Sequence, residues 1–323
     1  MRALNPGGGK DPSAGFHLFR KNSAFEKSPA SRIQPVPFGV YSREYFLTDN
    51  SGFDHWLKTG GSTLEPRHEY AFALGRPTSR DRVLDYGCGR GEIVLQSALC
   101  GANVVGVDYA RAAIDLTRET LSRAGLCEGD RLQILLLDGK RLPFPDGTFT
   151  KVFFLDVIEH LTPLEVSTVL TEFYRVMTSQ GQLIMHTSPN RIYYECGYPR
   201  FTYPLSKLVD SILEKVRGRG LYNLPRDPRT PSEKLRHINE QGLGSLKSAL
   251  HRTGFRYKVW ASERLLKRMM KDPRFTLSRL LIKPAFWPLN YLFASDLWAI
   301  AWKRTHNSLR QIQKWEEGSG FCR

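Results

Sequence analysis

The chain has 323 residues, 41% of them apolar, and a formal net charge of +15. That length and apolar content suit one large core or two smaller ones and exclude a fibrous or wholly disordered chain. No run of about 18 apolar residues occurs, so no spanning helix is predicted, and five scattered cysteines without a CxxC pair argue against a structural zinc site and for a reducing, cytoplasmic compartment. The charge is uneven. Residues 41–189 carry 15 Lys+Arg against 19 Asp+Glu, whereas residues 190–323 carry 26 against 11. A basic C-terminal half points to anionic partners such as phospholipid, phosphorylated substrate or nucleic acid, or to a solvated basic surface.

In chain order, residues 1–38 lack an apolar stretch of signal-peptide length and are expected to form a flexible leader. Residues 39–80 predict short helices. From residue 81 the pattern turns regular. "RVLDYG" (82–87) is a buried strand ending in a glycine turn, "EIVLQSALCGA" (92–102) a helix, "NVVGVDY" (103–109) a strand, and "ARAAIDLTRETLSRAG" (110–125) an amphipathic helix closed by Gly125. "LQILLLD" (132–138) is a third strand. "KVFFLDVIEHL" (151–161) begins as a fourth, and Pro163 opens a helix to residue 177. "GQLIMHTS" (181–188) is a fifth strand. Strands alternating with helices imply a doubly wound, mostly parallel sheet with helices on both faces. Residues 190–236 break the pattern as an insertion rich in Tyr, Pro and Arg. A helix (238–254) and a strand (255–262) follow, then a second insertion (263–294) and a last strand (296–304) pairing antiparallel. Residues 305–323 are a tail.

The glycine turn "VLDYGCGRGE" (83–92) constrains the ligand. The residue three beyond Gly89 is Glu92, so the dinucleotide fingerprint G-x-G-x-x-G fails, and no phosphate loop G-x-x-x-x-G-K-[ST] exists. The remaining D-x-G-x-G-x-G sets the carboxylate of Asp85 at a strand end. There it repels pyrophosphate and suits a positively charged ligand. Asp108 and Asp138 end the next two strands, which lines three carboxylates along the crevice where open α/β sheets bind ligands.

Together "VLDYGCGRGE", "VVGVDYA", "LLLDGKRLPFPDGTFTKVFFLDVIEHL" and "GQLIMHTSPN" resemble the ordered motifs of class I S-adenosylmethionine-dependent methyltransferases over about residues 80–190. The resemblance implies a Rossmann-like seven-stranded sheet over 81–304, with S-adenosylmethionine as cofactor. Gly87, Cys88 and Gly89 are then expected against its methionine half, with Asp85 on the amino group and Arg90 either on the carboxylate or in solvent. Asp108, beside Tyr109, is expected on the ribose, Asp138 and Gly139 on the adenine, and Asp156 near the sulfonium.

Transfer from a sulfonium needs alignment and, for a hydroxyl acceptor, removal of a proton. His160 in "DVIEHL" and His237 in "LRHINEQGL" are the candidate bases, and no clustered ligand set suggests a metal. Tyr45 and Phe46 are candidates to cover the cofactor, Tyr193 and Tyr194 to cover the acceptor. The [ND]-P-P-[YF] motif of amino-methylating enzymes is absent after the fourth strand, as is a Pro-Cys pair. A small or lipid-linked acceptor methylated at oxygen is therefore expected, with nucleic acid disfavoured. Residues 264–283 mix Lys and Arg with Leu, Met, Phe and Ile, which suits peripheral contact with an anionic membrane or a roof over the acceptor pocket. An RNA or protein methyltransferase and a non-catalytic cofactor-binding module are the alternatives.

Overall fold

The structure, a computed structural model, describes residues 33–137, 141–217, 225–262 and 289–304. The leader to residue 32, Asp138, Gly139 and the basic segment 264–283 lie outside the described residues. Three short helices open the chain: α1 (Arg43–Thr48), α2 (Phe53–Thr59) and α3 (Pro66–Gly75). The Ser42 side chain accepts the Tyr45 N–H to cap α1, Gly60 closes α2 in the left-handed region, and Pro66 stands in the first turn of α3.

The alternating segment follows as β1 (Arg82–Tyr86), α4 (Glu92–Leu99), β2 (Asn103–Asp108), α5 (Arg111–Arg123), β3 (Leu132–Leu136), β4 (Phe149–Leu155), α6 (Pro163–Val176) and β5 (Met177–Thr187). Then come a π-helical stretch (Tyr193–Thr202), α7 (Tyr203–Arg217), α8 (Pro231–Arg236), α9 (Leu243–Thr253), β6 (Arg256–Ser262) and β7 (Asp296–Trp302). The sheet order is β3-β2-β1-β4-β5-β7-β6. β1 to β5 are parallel, and β7 runs antiparallel to both β5 and β6. The fold is thus the expected Rossmann-like seven-stranded sheet with antiparallel last strands.

Successive strand residues point to opposite faces, and here both faces are buried. Leu84 and Phe154 pack with Phe173 of α6 on one face, while Val83, Phe153 and Ile184 pack with α3 and α4 on the other. α1 and α2 rest on α5 through Phe46, Trp56, Ala113 and Leu116. The strand order reverses between β1 and β4, so their C-terminal ends open the crevice.

Two of the boundaries that differ from the sequence expectation shape that crevice. β4 stops at Leu155. Asp156 turns the chain out with φ 55°, and Ile158–His160 forms a 3-10 turn. α9 begins at Leu243 rather than near 238, because Asn239 is drawn back onto that turn. Its backbone N–H bonds the Glu159 carbonyl at 3.0 Å, and its Nδ2 bonds the Leu161 carbonyl at 2.9 Å.

Candidate active site

A cavity of about 390 Å3 opens at the crevice, within the range that binds small cofactors. One wall is backbone. Gly87 and Cys88 donate their N–H groups to the Val107 carbonyl, which ties the turn to β2. Gly87, Gly89 and Gly91 all adopt positive φ, which non-glycine residues rarely take. A Cβ on Gly87 would lie 2.3 Å from Val157, while one on Gly89 would meet only Phe46 across the cavity at 3.8 Å. The turn therefore lets a ligand approach the chain closely. Cys88 turns its sulfur inward to Thr117 at 3.5 Å, and burial raises its thiol, so it contributes backbone and packing rather than a nucleophile.

Two carboxylates complete this wall. Asp108 accepts the Gly89 N–H at 3.1 Å and the Ala110 N–H at 2.9 Å. Burial pushes its pKa up to about 6, and those backbone donors limit the rise. Asp85 is buried and no described residue donates to its carboxylate, so burial, then Glu92 and Asp108, raise it well above the usual range. A buried acid without a donor beside two more acids is a receptor for positive charge. The ammonium and sulfonium of S-adenosylmethionine fit the charge of this wall. Tyr109 lines the cavity beside it.

The roof is the N-terminal segment. Val36, Phe38, Tyr41, Tyr45 and Phe46 line the cavity, as expected for Tyr45 and Phe46. Arg90 holds this roof, and here the expectation is corrected. Its guanidinium does not point to solvent, being only 2% exposed, and its N–H groups are all taken by protein acceptors. Nη1 donates to the Phe46 carbonyl and the Asn50 side chain, Nη2 to the Ser51 carbonyl, and Nε and Nη2 to Glu92. With its donors taken, it is a clamp between the glycine turn and α1–α2.

The far wall is built of side chains. Asp156 lies in the lining, with its carboxylate bound to Arg67 Nη1 at 3.0 Å and His186 Nδ1 at 2.6 Å. Burial opposes its charge, yet Arg67 and His186 outweigh burial and hold it well below the usual range. The same pair lifts His186 to about 9 despite its burial. The next turn sets His160 in the lining. Its Nδ1 contacts the Arg236 carbonyl at 3.2 Å. A carbonyl only accepts, so Nδ1 carries the proton and Nε2 keeps its lone pair. Burial, with His237 second, pushes His160 down to about 3, so it stays neutral.

His237 comes to His160 with ring centroids 5.0 Å apart. Glu159, fully buried, accepts Thr187 Oγ1 at 2.9 Å, and burial followed by Asp156 raises it to about 8. One donor atom each from Glu159, His160 and His237 lie within 4.8 Å of one another. The expectation that no metal-ligand set is clustered is overturned, because Asn239 and Arg236 stitch a distant segment onto the 158–160 turn. Tyr193 and Tyr194 do not line the cavity; Tyr194 instead packs under Arg229 at 5.1 Å. Arg67, Tyr41, Glu92 and Glu159 were missed. Of these Glu159, adjacent to His160, and Glu92, at the end of the glycine turn, carry a local signal.

The methyltransferase domain family matches residues 84–185. A probable S-adenosylmethionine-dependent methyltransferase of Mycobacterium tuberculosis is 30% identical over 223 residues, covering 65% of this chain and 74% of that protein. A sterol 24-C-methyltransferase of Pneumocystis carinii is 33% identical over 36% of this chain, and the matched part spans only 30% of that protein. A demethylmenaquinone methyltransferase of Thermus thermophilus is 32% identical, with 41% of this chain and 58% of that protein covered. The ordered motifs, the seven-stranded sheet, the acid-lined glycine turn and these relatives converge: the chain belongs to the class I S-adenosylmethionine-dependent methyltransferases.

Proposed function

We propose that the chain transfers a methyl group from S-adenosylmethionine to the hydroxyl oxygen of a small, apolar, lipid-like acceptor. The observation that carries this reading is His160 in the cavity wall, its Nδ1 held by the Arg236 carbonyl so that Nε2 keeps its lone pair. The cofactor, when bound, supplies an electrophilic methyl group, so the protein's tasks are alignment, exclusion of water and proton removal. Asp85, the glycine turn and Asp108 form the cofactor cradle, and the roof of Tyr41, Tyr45 and Phe46 excludes water. The His160 corner receives the acceptor oxygen. A hydroxyl becomes strongly acidic as its oxygen bonds to carbon, so even a weak base suffices late in the reaction.

The acceptor class is supported by the apolar rim of Val36, Pro37 and Phe38, the last 73% exposed, and by relatives that are sterol and demethylmenaquinone methyltransferases. No helix among the described residues is long and apolar enough to cross a membrane. A lipid-like acceptor would then be met at a membrane surface, which the basic C-terminal half favours. The test is transfer from radiolabelled S-adenosylmethionine to a panel of prenylated phenols, sterols, short polar phenols and RNA. Label in apolar phenols that survives mild base is expected. Label only in RNA or only in sterol carbon would replace this reading.

A further inference from the structure

The corner assigned to the acceptor oxygen has the construction of a metal site. Glu159 and His160 are neighbours in the turn after β4, and His237 follows the end of α8. The two segments are locked together by three contacts: His160 Nδ1 to the Arg236 carbonyl, Asn239 N to the Glu159 carbonyl, and Asn239 Nδ2 to the Leu161 carbonyl. Each candidate ligand is also oriented or left available. The Arg236 carbonyl holds the His160 ring through Nδ1, which frees Nε2, and such an outer carbonyl is what a metal-bound imidazole ordinarily has. Thr187 holds one oxygen of Glu159. His237 keeps a buried Nδ1 with no hydrogen-bond partner, an omission that folded proteins rarely tolerate.

We infer that Glu159, His160 and His237 hold one first-row divalent cation, Zn2+ before others, with an open position facing the cavity where the acceptor oxygen binds. This rests on the reading of the corner as the acceptor-oxygen site and deepens it. Two imidazoles and one carboxylate suit Zn2+, Co2+ or Fe2+, whereas Mg2+ and Ca2+ take oxygen ligands. Tetrahedral bonds of about 2.0–2.2 Å set ligand atoms about 3.4 Å apart, so the three atoms, now within 4.8 Å, close by up to about 1.4 Å through side-chain rotation. Three protein ligands leave a fourth position, as in catalytic rather than structural sites. The acceptor hydroxyl coordinates there and releases its proton to solvent. A lone pair of the bound oxygen forms the bond to the methyl carbon, and the carbon–sulfur pair leaves on sulfur. With the cation in place Nε2 of His160 is a ligand, and the cation replaces it in lowering the hydroxyl's pKa.

The full chain, stripped with a chelator and dialysed, is titrated with Co2+, and Zn2+ is used to displace it. One equivalent is expected, with the visible absorption of a low-coordinate Co2+ centre. His237→Ala and Glu159→Gln should weaken binding by at least about 100-fold, beyond the loss seen when only outer-shell partners are removed. His251→Ala, on the exposed end of α9, should bind normally. Melting curves and S-adenosylmethionine affinity confirm that the variants fold. Less than a tenth of an equivalent of Co2+ on the wild type, or unchanged binding in both ligand variants, overturns the site. Methyl transfer that persists in stripped protein leaves the acceptor reading intact and returns the proton to the His160 imidazole. Stoichiometric cation without any methyl transfer keeps the site and removes the proposed function.

Discussion

The two walls of the cavity are made differently. The cofactor wall is one contiguous stretch of chain, residues 85–92, closed by Asp108 through backbone hydrogen bonds. The opposite wall, which we propose receives the acceptor, is lined by Arg67 of α3 and by Asp156 and His160 of the turn after β4, and is backed by His186 of β5 and the Arg236 carbonyl at the end of α8. The first wall needs only glycine backbone conformations and two strand-end acids. The second needs five or more side chains held in register by long-range contacts. A wall of the first kind suits a constant ligand, and we assign it to the cofactor. A wall of the second kind can change one residue at a time, which suits an acceptor that differs between relatives.

The largest effect should separate the walls outright. His160→Ala is expected to lower turnover by about 10²–10⁴ while S-adenosylmethionine affinity stays within about twofold. Turnover under saturating cofactor, with calorimetry alongside, measures both. Loss of cofactor affinity in this variant would merge the walls into one site.

Arg90→Ala tests the clamp that joins the first wall to the roof. It strands Glu92 as a buried acid and frees the Phe46 and Ser51 carbonyls. Breaking a buried pair in this way costs about 3–5 kcal/mol, read by denaturant unfolding. Arg90→Lys should recover only part, since one ammonium cannot serve that fork of acceptors. An unchanged midpoint would mean that the roof does not depend on the clamp.

Asp108→Ala addresses the first wall alone. Two charge-assisted hydrogen bonds of about 1.5–3 kcal/mol each are at stake, so affinity for S-adenosylmethionine should fall by about 10²–10⁴-fold. Asp108→Asn, which keeps an acceptor oxygen, should fall less. Equal affinity in wild type and Asp108→Ala would remove Asp108 from the cofactor wall.

The same division explains what was legible beforehand. The parallel sheet, its antiparallel end and the acids at strand ends follow from short-range periodicity and from turns that only glycine makes easily. Arg90 was misjudged because its acceptors, Phe46 to Ser51, lie some forty positions upstream, and nothing near Arg90 announces them. His160 and His237 were nominated separately, each from its own surroundings. Their meeting depends on Asn239 bonding the 159–161 turn, a contact that no spacing rule encodes. Arg67 is hidden for the same reason, since its partner Asp156 lies some ninety positions downstream, in the turn after β4, and α3 reads as any short helix.

The smallest effect is a pH dependence that also divides along the walls. His186 is buried and lifted to about 9 from an ordinary value near 6.5, because Asp156 outweighs burial. The folded state therefore holds this proton more tightly than the unfolded chain. The stability it lends is complete below about pH 6.5 and is lost as the pH rises through about 9, by at most about 3.5 kcal/mol. Glu159, raised to about 8 by burial, loses stability with the same sign in an overlapping window. The difference between wild type and His186→Gln is thus the measure, rather than the wild-type slope. Asp108 obeys the same rule lower down. Its contribution is present below about 3.8 and lost as the pH rises through about 6. Above that point an ionised cofactor wall gains most from a bound cation, so stabilisation by S-adenosylmethionine should grow as the pH rises from 5 to 7. Thermal melts of both proteins from pH 5 to 9.5, with and without cofactor, resolve the two windows. An identical slope between pH 6.5 and 9 in wild type and His186→Gln would show that the Asp156–His186 pair does not carry the acceptor wall's share of stability.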